Sequence, residues 1–498
     1  MKKAGLAFLA LSVALLCAAS AHNAHAQTYT TLATLNGPNG AEPNSPLLQG
    51  LDGNIYGVTY SGGANCDGAC GTVFSMTPAG SLTTLHNFCA VGGYPYCFDG
   101  SVPHGALVQS TNGNFYGTAT GGGIYNTAGY YDALGTIFEI DAKGNFSTLH
   151  NFAGSPGDGN GPENLVLGAN GTYYGVTYSG GSNCVSGLFG CGNTFNMTAS
   201  GTLTTLYNFC SQSNCNDGSS PLSLMQASDG NLYGTTLGGG TNGVQCGVAF
   251  RLTPAGKFTV LHSFGTANGC YPSSLTQGSD GNFYGTAGIA GTHGWGTIFK
   301  MTPTGQVTTL YNFCSQLHCA DGAYPNPKLV LANDGNFYGT TRGAIGYSGW
   351  NYSVIFSISP SGTYTVLHTF NRNTEGTSGG GLMQATDGSF YGATVASSGS
   401  TCDSNSFCGS IFNFSAGLSP FVKTLPNVGK AGRTIAILGN NLTGTSSVTF
   451  NGIPATSFTV VSPTSLRVTV PSGATSGTIQ VTTPSGTLST VIPFQVAP

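Results

Sequence analysis

The stretch DGNFYG occupies residues 280–285 and recurs, letter for letter, at residues 334–339. Five close variants stand elsewhere in the chain: DGNIYG at 52–57, NGNFYG at 112–117, NGTYYG at 170–175, DGNLYG at 229–234 and DGSFYG at 387–392. The shared tyrosine therefore returns seven times, at intervals of 51 to 60 residues. Self-similarity at such a period indicates an array of like structural units.

Each copy predicts four short antiparallel strands. An apolar run leads into the Asp-Gly turn, which is a strong hairpin signal, and a second strand carries the tyrosine. A Gly-rich loop follows, then a third strand such as 296–301, a Pro-x-Gly turn and a fourth strand such as 306–313. Four-stranded antiparallel units at this period are typical of β-propeller blades.

The strand count predicts a closed ring. Seven third strands are present, but only six fourth strands lie within the repeats. The missing one is matched at the N-terminus, where residues 28–32 (TYTTL) resemble residues 363–367 (TYTVL). Pairing the two ends of the array removes the exposed strand edges. An open solenoid is the alternative, but it does not explain this circular offset. The predicted fold is all-β, a seven-bladed β-propeller over residues 27–416 closed by the N-terminal strand.

Two further segments flank the repeat region. Residues 1–26 have the charged start, short apolar run and Ala-His-Ala end of a secretory signal peptide. The apolar run is too short for a transmembrane segment, and no later run is longer. Residues 417–498 alternate apolar and polar positions between Gly, Asn and Pro turns, which predicts a small immunoglobulin-like β-sandwich.

The charge content excludes some partners. Charged residues make up only 6% of the chain, with 13 Lys+Arg and 17 Asp+Glu. No stretch concentrates Lys or Arg, so the sequence predicts neither a nucleic-acid-binding protein nor one that binds anionic membranes.

The cysteines predict disulfides and export. Fourteen of the 15 cysteines follow the predicted signal peptide, and an even number in an exported chain indicates an oxidising compartment. Zinc is disfavoured because the spacings vary and no histidine stands at ligand spacing. The predicted location is secreted, periplasmic or cell-surface. The predicted pairs are Cys66–Cys70, Cys89–Cys97, Cys184–Cys191, Cys210–Cys215, Cys246–Cys270, Cys314–Cys319 and Cys402–Cys408.

A second repeated element precedes each first strand, on the face that also carries the long loops. It consists of an acid or amide followed by glycine, at Asn39, Asp99, Asp158, Asp217, Asn268, Asp321 and Glu375. The favoured interpretation is a turn in which the side chain binds its own backbone. The alternative is a ring of ligand-binding groups, for which Ca²⁺ would be an occupant because it prefers oxygen ligands. Neither interpretation requires a cofactor or another metal.

Loop aromatics on the same face give a second set of ligand candidates. Exposed rings beside carboxylates suit sugars, although such rings also serve to cover loops. The candidates are Asp99, Asp158, Asp217, Asp321, Glu375, Tyr96, Tyr271, Trp295, Tyr324 and Trp350.

The remaining repeated residues are interpreted as structural. In the DGNxYG motif we expect a type I′ turn and a tyrosine that packs between blades. One fourth-strand position holds either histidine or tyrosine, which a catalytic base would not tolerate. Its members are His86, His150, Tyr207, His262, Tyr311 and His368. No hydrolase, zinc-protease or P-loop motif is present, so no catalytic residue is predicted.

The motifs resemble known families. The DGNxYGTT core, the GTxF third strand and the Leu-His/Tyr-Asn-Phe fourth strand resemble the GloVer tandem repeat of bacterial exported proteins, and the core is similar to two-component-regulator propellers. Residues 448–452 (VTFNG), 470–471 (VP) and 477–481 (GTIQV) resemble the IPT/TIG domains. These resemblances imply a surface or periplasmic location and carry no activity.

The sequence thus favours a non-enzymatic binding or surface-interaction protein, whose loop-rich propeller face recognises a glycan or another extracellular macromolecule. One alternative is a hydrolase or lyase that acts on polysaccharide, since two carboxylates from different blades can face each other. The other is a structural spacer in the cell envelope.

Overall fold

The computed structural model describes residues 27–65, 69–94, 96–124, 134–155, 157–183, 190–242, 245–343, 352–395 and 408–497. The predicted signal peptide, 1–26, lies outside these ranges. None of the helical segments in these ranges has the length and hydrophobicity that a bilayer-spanning helix needs. The helices of the described chain are two single 3₁₀ turns, Ser213–Cys215 and Leu317–Cys319.

Seven antiparallel sheets form the blades. Strand β1 (Thr28–Thr34) is followed by blade 1, with β2 (Leu48–Gln49), β3 (Ile55–Thr59), β4 (Thr72–Met76) and β5 (Leu82–Asn87). Blade 2 contains β6 (Ser101–Pro103), β7 (Val108–Gln109), β8 (Phe115–Gly121), β9 (Thr136–Ile140) and β10 (Phe146–Asn151). Blade 3 contains β11 (Asn160–Leu167), β12 (Tyr173–Ser179), β13 (Asn193–Met197) and β14 (Leu203–Asn208).

The other four blades repeat this order. Blade 4 contains β15 (Ser219–Gln226), β16 (Leu232–Gly238), β17 (Val248–Leu252) and β18 (Phe258–Ser263). Blade 5 contains β19 (Cys270–Gln277), β20 (Phe283–Ile289), β21 (Thr297–Met301) and β22 (Val307–Asn312). Blade 6 contains β23 (Val330–Leu331), β24 (Phe337–Thr340), β25 (Val354–Ile358) and β26 (Tyr364–Thr369). Blade 7 contains β27 (Thr377–Ser378), β28 (Met383–Gln384), β29 (Phe390–Val395) and β30 (Ser410–Ser415), and β1.

The N-terminal strand closes the ring, as the sequence predicts. β1 pairs antiparallel with β30, with Tyr29 opposite Phe414. The Tyr29 ring also stacks on His368 of blade 6, with the ring centroids 4.5 Å apart. On the other side of blade 7, the Thr386 N–H donates to Gln49 Oε1 of blade 1 over 2.9 Å. The fold is therefore a closed seven-bladed β-propeller.

The part of each blade that precedes its DGNxYG copy, called here the first segment, forms one strand or, in blades 2 and 7, two short strands. The seven first segments are innermost and surround a central channel. Ser223 Oγ of blade 4 donates to the Ser273 carbonyl of blade 5 over 2.8 Å. Thr276 Oγ1 of blade 5 donates to the Leu329 carbonyl of blade 6 over 2.7 Å. The second and third strands are almost wholly buried, whereas the fourth strands are partly exposed. The fourth strands therefore form the outer wall.

The repeated DGNxYG motif joins a turn to the next blade. In blade 1, Asp52 Oδ2 accepts hydrogen bonds from Asn54 Nδ2 over 2.7 Å and from the Tyr56 hydroxyl over 2.8 Å. The Tyr56 ring lies against Phe115 of blade 2, with centroids 4.0 Å apart. Because such aromatic pairs add to the burial of apolar area, the tyrosine holds adjacent blades together, as predicted.

The type of the Asp-Gly turn differs from the prediction. The Gly53 N–H donates to the Gly50 carbonyl over 2.9 Å, and Gly53 has φ 87°. Asp52 has no positive φ, because its Oδ1 accepts the Asn54 N–H, which closes an Asx turn. The loop is a three-residue type I turn followed by a left-handed glycine. The predicted type I′ turn, which needs two left-handed residues, is wrong.

The C-terminal residues form a β-sandwich. One sheet has the order β31 (Lys423–Leu425), β33 (Thr434–Leu438), β37 (Ser465–Thr469) and β36 (Phe458–Ser462). The other has the order β35 (Ile453–Pro454), β34 (Ser447–Phe450), β38 (Ile479–Thr483) and β39 (Gly486–Ser489), and β32 (Val428–Gly429) pairs with β40 (Gln495–Val496). Val448, Leu466 and Phe494 lie in the core between the sheets.

The sandwich contacts the propeller on the face that carries the Asp-Gly turns. Thr464 Oγ1 donates to the Leu51 carbonyl of blade 1 over 3.1 Å. The Phe421 N–H donates to the Thr386 carbonyl of blade 7 over 2.9 Å. Lys423 Nζ donates to the Gln384 carbonyl at the end of the innermost segment of blade 7. The sandwich thus places a lysine beside the channel on the turn face.

Candidate functional site

The loop-bearing face is held by disulfides. Four disulfides lie wholly within the described chain, and each is a predicted pair: Cys89–Cys97, Cys210–Cys215, Cys246–Cys270 and Cys314–Cys319. Cys70, Cys191 and Cys408 are also disulfide-bonded, while Cys66, Cys184 and Cys402 lie outside the described residues. Disulfides of this number indicate an oxidising, extracytoplasmic environment.

The repeated acids bind groups of their own blade. Asp217 is fully buried and accepts hydrogen bonds from the Tyr207 hydroxyl over 2.7 Å and from the Ser211 N–H over 2.9 Å. Asp321 makes the same contacts to Tyr311 and Ser315 in blade 5. Tyr207 and Tyr311 lie on fourth strands, so these carboxylates face the outer wall and not the channel.

Four other members of the set repeat this pattern with histidine, whereas Asn39 exchanges hydrogen bonds with Asn36. The Nε2–carboxylate distances are 3.0 Å for His86–Asp99, 2.5 Å for His150–Asp158 and 3.1 Å for His368–Glu375, and Asn268 replaces the acid beside His262 at 2.7 Å. The hydrogen-bonded ring also stacks on an aromatic ring of the next blade. The ring centroids of His86 and Phe146, for example, are 3.8 Å apart. The arrangement favours the turn interpretation, and the structure does not bring the carboxylates together. A ligand role for them stays a prediction.

Two predicted aromatics occupy equivalent places at the inner rim. Tyr271 and Tyr324 each precede the proline of a first segment and have left-handed φ values of 61° and 53°. Each N–H donates to a carbonyl just before the third strand of the preceding blade. The Tyr271 N–H donates to Cys246 O over 2.9 Å, and the Tyr324 N–H donates to Trp295 O over 3.0 Å. The Trp295 ring stands edge-on to Tyr324, with centroids 5.1 Å apart. Tyr271 keeps 40% of its surface exposed.

The other two predicted aromatics are not part of this group. Tyr96 is 44% exposed on the loop closed by the Cys89–Cys97 disulfide, where its ring lies near that of Phe98. Trp350 lies outside the described residues. The structure therefore groups Tyr271, Trp295 and Tyr324 and leaves Tyr96 on a separate loop.

A histidine that the sequence did not single out lies at the inner rim. His104 follows β6 in the innermost segment of blade 2, and its Nδ1 donates to Glu163 Oε2 of blade 3 over 2.6 Å. The Tyr60 ring of blade 1 stands edge-on to it at 6.3 Å. Ser45 Oγ donates to the His104 carbonyl, but no second partner of the imidazole is found in the described part of the chain, so Nε2 is open to a ligand.

An arginine of blade 6 faces the same space. The Arg342 N–H donates to the Tyr324 carbonyl, and Nε donates to Asn326 Oδ1, both over 3.0 Å. Burial lowers the pKa of Arg342. Burial also lowers the pKa of His104, but the hydrogen bond and charge of Glu163 outweigh it, so that pKa is raised; the charge of Arg342 opposes the rise. We call Tyr60, His104, Glu163, Tyr271, Tyr324 and Arg342 the channel mouth.

We expect the Glu163→Gln variant to lower the pKa of His104, because a neutral amide cannot stabilise the imidazolium. A raised folded-state pKa stabilises the fold below the unfolded pKa, and this stability is lost as the pH rises through the folded pKa. The variant should therefore lose stability at acidic pH and little at alkaline pH. Histidine NMR titration measures the pKa, and Glu139→Gln, in the outer part of blade 2, is the control. An unchanged His104 titration would refute the pairing.

Comparisons with solved structures agree with the propeller. A streptogramin B lyase aligns with a TM-score of 0.52 and 17% identity over 78% of this chain and 97% of that one. A catalytically inactive virginiamycin B lyase from Staphylococcus aureus, bound to quinupristin, aligns with a TM-score of 0.50 and 14% identity over 78% and 99%. At these identities the likeness concerns the fold alone. No curated protein sequence matches the chain.

Family models cover nearly all of the described residues. The Gloeobacter/Verrucomicrobia repeat matches residues 21–189 and 184–412, and the IPT/TIG domain matches residues 421–496. These matches contain all seven DGNxYG copies and the C-terminal sandwich. The chain belongs to the Gloeobacter/Verrucomicrobia repeat family and ends in an IPT/TIG domain.

Proposed function

We propose that the chain is an exported, non-enzymatic binding protein that takes a glycan at the channel mouth. The observation that carries the proposal is the open hydrogen-bonding capacity of this rim. His104 Nε2 and the terminal nitrogens of Arg342 have no partner among the described residues, whereas the repeated carboxylates have theirs inside the chain. The His104 imidazole stands edge-on to the Tyr60 ring, and the Arg342 backbone is hydrogen-bonded to Tyr324.

This combination suits a sugar. Aromatic rings offer faces on which the apolar side of a pyranose stacks, and fixed polar groups orient its hydroxyls. Of Tyr271, Trp295 and Tyr324, Tyr271 is the most exposed, with 40% of its surface open to solvent. The disulfides support export, because they persist in oxidising compartments. The Cys246–Cys270 disulfide joins blades 4 and 5 directly beside Tyr271 and so limits movement at the rim.

A glycan array with the mature protein, followed by calorimetric titration of each hit, tests the proposal. We expect Tyr271→Ala and His104→Ala to weaken binding by about tenfold each, the size expected when a charged or aromatic contact is lost. Tyr96→Ala, on the separate loop, is the matched control and should leave binding unchanged. Loss of binding in Tyr96→Ala alone would move the site to the outer loop, and an array without hits would refute the glycan.

The His104–Glu163 pair favours one second candidate, a polysaccharide hydrolase or lyase. A histidine oriented by a carboxylate and open at Nε2 has the arrangement of a general base. Incubating the mature protein with each array hit and analysing the products by mass spectrometry separates the two functions. Turnover that disappears in His104→Ala would show that the protein is an enzyme. Oligosaccharide that stays intact after prolonged incubation would support the non-enzymatic binding protein.

A further inference from the structure

The channel collects an unusual share of the basic residues of the chain. Beyond residue 26 the sequence has 11 lysines and arginines, and three of them lie along the channel: Lys328, Arg342 and Lys423. They come from the middle of the innermost segment of blade 6, from the loop that follows β24 and from the sandwich. The cluster is invisible in the sequence because its members are far apart there. In a protein of net charge −4, it gives the channel a local positive potential.

Lys328 lies between the innermost segments of two neighbouring blades. Ser274 Oγ of blade 5 donates to the Pro327 carbonyl, immediately before it. On the other side, a methyl group placed on Gly381 of blade 7 would come within 3.0 Å of Lys328 Cβ. Gly381 therefore lets the backbone of blade 7 approach Lys328 more closely than a residue with a side chain would allow. Lys328 makes no hydrogen bond or ion pair within the described residues.

Arg342 and Lys423 stand at the two ends of the channel. Arg342 is at the mouth, where its Nε is used by Asn326 and its terminal nitrogens remain available. Lys423 is at the turn face, where its Nζ meets the Gln384 carbonyl. Glu163, the acid of the mouth, is already paired with His104. The order from the loop face to the turn face is therefore Arg342, Lys328 and Lys423.

The acid–base properties of the two channel lysines agree with a concentration of positive charge there. The Lys328 side chain is exposed to solvent, and desolvation by the surrounding walls of the channel lowers its pKa. Burial and then the charge of Lys328 lower the pKa of Lys423 to about 8, against a smaller opposing effect of Asp387. A lysine that faces another lysine in a confined space binds its proton less tightly, because each charge repels the other. An anion between them would relieve this repulsion.

We propose that the channel is an anion-binding site, in which Arg342, Lys328 and Lys423 hold a carboxylate, sulfate or phosphate group of the ligand. It rests on the proposed function in one respect, that the ligand enters at the channel mouth. Arginine and lysine bind such oxyanions through charge-assisted hydrogen bonds, with the guanidinium as the bidentate partner. The IPT/TIG domain contributes Lys423, the cation at the turn face, so the site is built from both domains.

Calorimetric titration of the full mature chain with sodium sulfate, at constant ionic strength kept with chloride, tests the site. We expect saturable binding of one sulfate, weakened about tenfold in Lys328→Met and in Arg342→Gln, since each removes a charged donor. Lys257→Met, which removes an exposed lysine of a turn in blade 4, is the matched control. Circular dichroism establishes that each variant is folded, and Lys423→Met replaces any variant that is not. Absence of saturable binding, or equal affinity in the folded channel variants, would overturn the proposal.

The pH dependence gives an independent readout, because sulfate does not titrate near neutrality. Lys423 loses its proton near pH 8, so sulfate binding should weaken as the pH rises from about 7 to about 9. Lys423→Met should bind more weakly at pH 7 and lose most of this pH dependence. An unaltered pH profile in Lys423→Met would overturn the part assigned to the sandwich.

A carboxylated trisaccharide, trigalacturonate, and its neutral methyl ester separate the sources of the anion. Binding of the acid but not the ester places a carboxylate in the channel, and binding of sulfate and phosphate without trigalacturonate assigns the site to an inorganic or ester-linked oxyanion. A protein that binds sulfate but no glycan would refute the proposed glycan function and retain the anion site. A protein that binds neutral glycans but no anion would refute the anion site and retain the proposed glycan function.

Discussion

Removal of residues 27–35 is expected to lower the free energy of unfolding by about 5 kcal/mol. The deletion takes away every β1–β30 pair, and cross-strand pairs contribute roughly 0.2–1 kcal/mol each. It also removes the stacking of Tyr29 on His368 and the buried side chain of Leu35, each a loss of about 1–2 kcal/mol. The bare edge of β30 should then pair with other molecules. Scanning calorimetry and size-exclusion chromatography should show a lower transition temperature and oligomers.

Two point variants separate ring closure from a general effect of truncation. Tyr29→Ala keeps the strand but loses the stacked ring, and we expect about half of the deletion's effect. Thr30→Ala changes an exposed residue of the same strand and should alter stability by less than about 0.5 kcal/mol. A truncated protein that stays monomeric and melts with the full chain would mean that β1 does not close the ring.

The second large effect concerns the glycine that ends each DGNxYG copy. A methyl group on any of the seven would come within 2.4 to 2.6 Å of the ring tip of the third-strand phenylalanine, and the seven are Gly57, Gly117, Gly175, Gly234, Gly285, Gly339 and Gly392. In Gly117→Ala the obstructing atoms belong to Phe138 and Leu107, which are both buried. Overpacking of this kind costs about 1–3 kcal/mol, so we expect a loss of about 3 kcal/mol in chemical denaturation.

A double-mutant cycle identifies the cause. Phe138→Leu shortens the ring and leaves a small cavity, at about 1–2 kcal/mol. If the clash with Phe138 causes the loss, the double variant should be more stable than the sum of the single effects by at least about 1 kcal/mol. Gly288→Ala, in the second strand of blade 5, has only a carbonyl 3.8 Å away and is the control. Additive losses would exclude Phe138 as the cause.

The sequence predicted the blades and the closure of the ring because the same strand and turn pattern occurs in all seven repeats. It did not resolve the turn type. Both a type I′ turn and a type I turn with a following left-handed residue need the glycine, and they differ in the conformation of the aspartate. That conformation is decided by the hydrogen bonds of Asp52 to Asn54, which lie within the motif itself.

The repeated acids lie on the loop face, but the direction in which their side chains point depends on a second repeated position, on the fourth strand. Where the acid is Asp or Glu, the fourth strand offers His or Tyr, and Asn268 stands beside His262. Reading the two positions together would have revealed partners inside each unit. Their proximity follows from the loop that joins blades and is not visible in either position alone.

The channel residues escaped the sequence interpretation for the opposite reason. His104, Lys328 and Arg342 occur once each at their blade positions, so no repetition draws attention to them, and Lys423 belongs to another domain. The signal that the sequence did offer is the rarity of charged residues, which make up only 6% of the chain. In such a chain each charged residue is a candidate for a specific role. Only the ring closure brings blade 2 opposite blade 6 and so unites these groups.

The most direct test of the account is histidine NMR of the full mature chain during titration with trigalacturonate and with sodium sulfate. His104 lies at the channel mouth, whereas His86, His150 and His368 report on the repeated acids near the outer wall. The account predicts that the His104 resonances move in a saturable way with at least one of these two ligands while those of the other three stay in place. Shifts confined to His86, His150 and His368 would contradict it.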